Sequence, residues 1–362
     1  MPFVADILMD SGAGNPKPRR RAVLLGDTSG ANHHGCWLVT NNLIEGLQRV
    51  GIEVVVRHHG KGWKKQAALA KSVADADLLV INGEGTIHHN RPLGGEYLDA
   101  GEYAAENGTP AFLVNTTWHA NAPDWAKRAR VFREIYVRES ASQEELQTAG
   151  TESVVVPDLS LATPSFTGMA GTQLRHGYLF GDSTHDEVSK RLLASSRRLG
   201  DAEFLPVISR NWSRARRSRR MKRQLQTFFG RYFSWTGMVP YRCQSLAAAE
   251  ICAAEFLGRL SCARGLITGR FHAVTMAVLT GTPFLALRSN TPKIESLLLD
   301  VGLSEHRIID PSDLVECSMD ELVKKLPFNA EESESCSKYV CQAQEGAAKM
   351  FQQIRLMVEA GR

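Results

Sequence analysis

Four short polar stretches, each directly after an apolar run, hold the residue types that grip and transform small anions. In Thr268-Gly-Arg-Phe-His-Ala273, Arg270 and His272 stand two residues apart where a strand gives way to a helix. A guanidinium fork, an imidazole of the type that titrates near neutral pH and the positive end of a helix together receive phosphate or carboxylate. The alternative is an Arg270 paired with a core acid and a satisfied, buried His272. Asn82-Gly-Glu-Gly-Thr-Ile-His-His89 sets a carboxylate, Glu84, between two glycines at a strand end, where doubly wound sheets bind their ligands. Its alternative is a solvated turn residue. Gly26-Asp-Thr-Ser-Gly-Ala-Asn-His-His-Gly35 is a turn whose glycines let backbone approach a ligand, or an ordinary connection capped by Asn or Ser. Arg138 ends a further strand and either reaches the same cleft or pairs with Glu139 or Asp158.

Other clusters point away from special chemistry. The pairs His33-His34, His58-His59 and His88-His89 invite a metal reading, but no carboxylate spacing completes a ligand set, so no metal is expected. The seven cysteines, Cys36, Cys243, Cys252, Cys262, Cys317, Cys336 and Cys341, are widely spaced and odd in number. They read as reduced thiols of a cytoplasmic protein. The net charge of +4 hides an asymmetry: Arg210–Arg223 holds eight basic residues and no acid, and without them 35 basic residues face 39 acidic ones. Such a run suits an anionic membrane surface. No nucleic-acid fold signature accompanies it, and no nucleic-acid partner is expected.

The elements that must position these turns alternate along the chain. A composition of 43% hydrophobic and 23% charged residues over 362 positions allows two packed domains and excludes a largely disordered chain. No apolar stretch is long enough to span a bilayer, and Met1–Asp10 lacks the basic start of a signal peptide. Residues 1–20 read as a flexible arm. Strands are predicted at Ala22–Gly26, Glu53–Arg57, Leu78–Asn82, Ala111–Asn115, Ile135–Arg138 and Ser153–Val156, with helices between. A loop-rich linker over Pro157–Arg175 precedes a second set at Tyr178–Gly181, Phe204–Ile208, Gly265–Thr268 and Pro283–Leu287. Near-continuous apolar strands separated by helices indicate parallel sheets covered on both faces. The fold class is therefore α/β: two doubly wound, Rossmann-like domains facing a cleft. The expected bounds are 21–165, 166–330 with the donor site, and 331–362 as a helix packing back toward the first domain.

In their order, these motifs resemble the polysaccharide pyruvyl transferase family. The matching stretches are the Gly26-Asp27 turn with Asn32; Asn82–Gly85; Tyr136-Val-Arg-Glu-Ser-Ala-Ser-Gln-Glu-Glu-Leu146 with Val155–Ser160; and, most specific, Thr268–Leu287 followed by Lys293 and Gly302-Leu303. The resemblance covers roughly Val23 to Leu303. It implies a GT-B-like fold, phosphoenolpyruvate as donor, and a sugar acceptor on which a pyruvate ketal forms, with no cofactor. It further implies that Arg270 and Arg138 bind the donor and that His272 is the catalytic histidine. Gly269, Phe271 and Lys293 are expected beside the donor, with His272 as the acid, and Glu84, from the opposite domain, is the candidate base for the acceptor hydroxyl. Asp27, Ser29, Asn32, His34, Asn82 and His88, on the first two turns, are expected to face the acceptor.

Departures from the family pattern are equally visible. Members often carry an acid just past a glycine after the first-motif asparagine, where this chain has Gly35-Cys36. Glu84 stands where many members have a plain glycine-rich turn, and the basic run is foreign to the pattern. A glycosyltransferase using a nucleotide sugar in the same cleft is the second reading, and a non-catalytic carbohydrate- or membrane-binding protein the third. A lipid-linked acceptor at the inner face of the membrane would suit the basic run.

Overall fold

The computed structural model describes residues 19–31, 33–163, 175–208 and 246–360, the last beginning with helix backbone alone over 246–252. Among these residues the chain builds two all-parallel sheets in succession. The first contains β1 (Arg20–Leu25), β2 (Ile52–His58), β3 (Leu78–Glu84), β4 (Ala111–Thr116), β5 (Glu134–Val137) and β6 (Val154–Val155), in the spatial order β2-β1-β3-β4-β5-β6. The second contains β7 (Tyr178–Ser183), β8 (Ala202–Phe204), β9 (Gly265–Gly269), β10 (Phe284–Leu287) and β11 (Ile308–Ile309), in the order β11-β10-β9-β7-β8. The helices are α1 (His34–Arg49), α2 (Ala67–Ala74), α3 (Pro92–Glu106), α4 (Pro123–Ala129), α5 (Ser140–Thr148), α6 (Asp186–Ser196), α7 (Leu246–Cys262), α8 (Phe271–Leu279), α9 (Lys293–Val301), α10 (Asp313–Glu316), α11 (Met319–Lys324) and α12 (Ala330–Ala360).

The doubly wound arrangement follows from the two-residue period of a strand whose both faces are covered. Val23, Leu25, Leu79, Ile81 and Leu113 pack against Leu69 and Val73 of α2 and Tyr97 and Leu98 of α3. The intervening Ala22, Leu24, Val80, Phe112 and Val114 pack on the opposite face, against Val39, Leu43 and Leu47 of α1. The second sheet divides in the same way. Leu179, Leu266 and Phe284 share a core with α7, α8 and α9, while Phe180, Ile267 and Leu285 lie against α6, α10 and α11.

Helix α12 belongs to both halves. Cys336, Tyr339, Val340 and Ala343 complete the core of the second sheet, and Met350, Phe351, Ile354 and Val358 complete that of the first. Its approach to α1 is so close that a Cβ on Gly46 would fall 2.0 Å from Phe351 Cε2. Polar contacts also join the halves. Asp300, near the end of α9, accepts from the Ser140 backbone N–H at 3.0 Å and from its hydroxyl, capping α5. Ser160 and Thr275 share a hydrogen bond of 2.7 Å.

Two local differences from the sequence-based expectation have simple causes. The strand predicted over Phe204–Ile208 ends at Phe204, because Pro206 offers no N–H to a ladder. The chain then turns to the other domain, where the Val207 carbonyl accepts from His34 N. β11 is two residues long, too short for an apolar period to show. The Arg210–Arg223 run and Asn32 lie outside the described residues. No helix among the described residues is long and apolar enough to cross a membrane.

Candidate active site

β9 and α8 meet at a tight corner. A Cβ on Gly269 would lie 2.6 Å from Ser183 Oγ, so the strands approach closely here only because the residue is glycine. Arg270 is the extended N-cap of α8. Its Nε donates to Asp182 Oδ2 at 2.8 Å, while Asp182 Oδ1 accepts from Val207 N at 2.8 Å. Asp182 has no exposed surface, and burial pushes its carboxyl upward against the pull of Arg270. The terminal nitrogens of Arg270 make no hydrogen bond to a described residue. The pairing of Arg270 with a core acid is thus present: Asp182 fixes one edge of the guanidinium, and the other edge has no partner among the described residues.

His272, 7% exposed, projects from the first turn of α8 toward the other domain. Its Nε2 lies 3.6 Å from Asp158 Oδ2, an ion-pair distance, and has no hydrogen-bond partner among the described residues. Its ring meets that of His33 edge-on at 5.1 Å between centroids. Asp158 follows β6. Its Oδ1 accepts from Ser160 N at 3.0 Å and its Oδ2 from Arg138 Nη1 at 2.8 Å. Burial works to raise its carboxyl, but His272 and Arg138 outweigh it and hold the group well below the carboxylate range.

Arg138 leaves the end of β5 with its side chain 2% exposed. Its Nε donates to Thr117 Oγ1 at 2.8 Å, with Glu139 Oε2 at 3.4 Å. Its guanidinium stacks on the Phe271 ring, 4.2 Å from the centroid. The ion pair with Asp158 that the sequence left open is thus present. Nη2 makes no hydrogen bond to a described residue and faces Gly85. Lys293, at the start of α9, faces the same point: a Cβ on Gly85 would lie 3.6 Å from Arg138 Nη2 and 3.7 Å from Lys293 Nζ. Burial, then the neighbouring Arg138, lower the Lys293 ammonium to about 7, even though it donates to Asn290 Oδ1 at 2.9 Å.

Glu84 ends β3 in the left-handed region (φ 39°), a conformation a non-glycine residue adopts only under constraint. Its Oε1 accepts from Thr28 Oγ1 at 2.5 Å and Asn82 Nδ2 at 3.1 Å, and its Oε2 from Cys36 Sγ at 3.2 Å. The two departures from the family pattern therefore touch: the Cys36 thiol donates to the Glu84 carboxylate. Burial, then Glu84, push the Cys36 thiol up.

The remaining expected residues divide between support and surface. Asn82 bridges Glu84, the Gly26 carbonyl and Asn115. Asp27 and Ser29 bind each other and Arg57, which donates to both. His34 lies against Phe256 of α7 at 5.1 Å, and burial lowers it to about 4. His88, buried and also lowered to about 4 by burial and then Arg91, shares a 2.9 Å contact with His89, and its Nε2 has no partner among the described residues.

Four contributors escaped the sequence reading. These are His33, the N-cap of α1 whose Nδ1 accepts from Cys36 N at 3.3 Å; Cys36 itself; Asp182; and Gly35, which makes room for His272. In the sequence the histidines stand as adjacent pairs, whereas the structure joins His33, one member of a pair, to His272, distant in sequence. His33, Cys36 and His272 each place one ligand atom within 4.8 Å of the others.

A two-domain α/β protein with its polar residues gathered where the carboxyl ends of two parallel sheets face each other has the GT-B-like architecture. S. aureus MnaA, solved with UDP, shares this fold with a TM-score of 0.53 at 10% identity, covering 91% of this chain and 94% of its own. The UDP-GlcNAc 2-epimerase from Neisseria meningitidis, bound to UDP-GlcNAc, does so with a TM-score of 0.52 at 9% identity, covering 92% and 99%. No curated protein matches the chain in sequence. A model of the polysaccharide pyruvyl transferase family matches residues 35–291, and the chain belongs to that family.

Proposed function

We propose that the protein transfers a pyruvyl group from phosphoenolpyruvate to a sugar of a glycan precursor, forming a pyruvate ketal. Beyond family membership, the observation that carries this reading is the convergence of Arg138 Nη2 and Lys293 Nζ on the bare face of Gly85. With the free edge of Arg270 and the N-terminus of α8 nearby, that point suits a small skeleton bearing phosphate and carboxylate.

In the proposed reaction His272 delivers a proton to the methylene carbon of the donor, leaving an oxocarbenium-like centre. Asp158 Oδ2 faces its Nε2 at 3.6 Å, in a position to orient the ring for the transfer. One acceptor hydroxyl attacks that centre and gives its proton to Glu84. Phosphate departs, the second hydroxyl closes the ring, and its proton leaves. One hydroxyl proton replaces the one spent on carbon and the other accompanies phosphate. The sequence calls for no metal or nucleotide.

His272→Ala is expected to keep the fold and donor binding and to lose turnover, by about 10²–10⁴-fold. Near-normal turnover would remove His272 from the mechanism. Arg270→Ala is expected to weaken donor binding, and unchanged affinity by calorimetry would count against its role. A nucleotide-sugar donor is the second reading, favoured by the UDP ligands of the two proteins that share the fold. A thermal-shift panel of phosphoenolpyruvate against nucleotide sugars separates the two. The basic run Arg210–Arg223 is proposed to dock on an anionic membrane presenting a lipid-linked acceptor. Salt-sensitive co-sedimentation with anionic liposomes is its test.

A further inference from the structure

We propose that His33, Cys36 and His272 form a binding site for a thiophilic divalent cation, with zinc as the chemical match, and that occupation of this site switches the protein off. The three ligands come from two domains. His33 caps α1, Cys36 lies three residues on in the same first turn, and His272 sits in the first turn of α8. Their ligand atoms already fall within 4.8 Å of one another. Bonds of about 2.0–2.3 Å in a tetrahedron need separations of about 3.4–3.6 Å, so the three must close by about 1 Å, within reach of side-chain rotation.

The surroundings match what such a site requires beyond its ligands. Asp158 Oδ2 stands 3.6 Å from His272 Nε2, which leaves Nδ1 for the cation and places a carboxylate behind the imidazole. The Cys36 thiol faces Glu84 Oε2 at 3.2 Å, a route for the proton released as thiolate forms. Glu84 or solvent completes the tetrahedron. His33 binds through Nε2, and its proton moves to Nδ1 at the cost of the long 3.3 Å bond from Cys36 N. Arg138, Arg270 and Lys293 repel any cation here. Thiolate, Glu84 and Asp158 offset them, which selects a sulfur-seeking ion over magnesium or calcium.

A cation on His272 removes the proton donor of the proposed reaction. The loss of turnover rests on that reaction, whereas the binding does not. The test therefore reads binding directly. Cobalt(II) is added to the chelator-stripped, full-length protein and the absorption spectrum recorded. Wild type is expected to develop tetrahedral cobalt bands with a near-ultraviolet thiolate charge-transfer band at one equivalent, erased by zinc. Cys36→Ser should lose the thiolate band. His33→Asn, which keeps a cap acceptor for α1, should weaken binding at least tenfold. Thermal unfolding of the metal-free variants confirms that each is folded. No thiolate band in wild type, or an unchanged spectrum and affinity in both variants, overturns the proposal. If cobalt binds as expected in a protein that never transfers pyruvate from phosphoenolpyruvate, the cation site stands and the reaction does not.

Discussion

Gly35 and His272 press against each other from opposite domains. A Cβ on Gly35 would fall 2.2 Å from His272 Cβ and 2.4 Å from Cγ, inside any tolerable contact. The first turn of α1 is therefore shaped around one imidazole of the other domain. Gly35→Ala is expected to displace the ring from Asp158 and lower kcat about 10²–10⁴-fold, as loss of the imidazole itself would. Turnover measured alongside a melting curve checks this; a folded variant with wild-type kcat would show that the ring position is immaterial.

Lys293 gives the proposed donor site a pH signature. Its pKa is lowered to about 7, so the ammonium is charged below that value and lost above it. The kcat/KM for phosphoenolpyruvate is expected to fall as pH rises through about 7, since this ratio reports the free enzyme. A bound anion restores the ammonium, so kcat should fall only at higher pH. Lys293→Met should flatten the limb in kcat/KM; an identical profile in that variant would assign the limb to another group.

Asp182 fixes Arg270 through one hydrogen bond to Nε. Asp182→Asn keeps the acceptor for Val207 N but removes the charge that aligns the guanidinium. Donor affinity measured by calorimetry is expected to weaken about tenfold, the scale of one charge-assisted hydrogen bond. An unchanged affinity would mean that Arg270 finds its position without Asp182.

The seam between α1 and α12 sets stability. Gly46→Ala would force a methyl into the Phe351 ring, and overpacking of this kind costs about 1–3 kcal/mol. Denaturant unfolding should show that loss, and a neutral result would mean that α12 shifts freely.

A second stability test lies at the other end of α12. Arg307 is fully buried and grips Glu332 through Nε at 2.7 Å and Nη2 at 2.6 Å. Glu332→Ala leaves that charge uncompensated, although three carbonyls still accept from Arg307. The expected destabilisation is about 3–5 kcal/mol by the same measurement.

Much of the architecture is local and therefore legible in the chain. Leu78–Ile81 and Ala111–Val114 are apolar without interruption because both faces of their sheet are covered, and a pattern of that kind survives in the sequence. The corner Gly269-Arg270-Phe271-His272 is legible for the same reason: a strand end, a cap and a helix start are neighbours along the backbone. What was not legible depends on distance. Asp182 reaches Arg270 across 88 positions, and Glu84 reaches Cys36 across 48. A hydrogen bond between side chains leaves no trace in the spacing of either residue. The sequence thus determined which elements form and which turns carry chemistry. Only the packing of one sheet's carboxyl ends against the other's decided which of those turns share a site, because that choice is made by contacts between residues far apart in the chain, such as those of α12 with both cores.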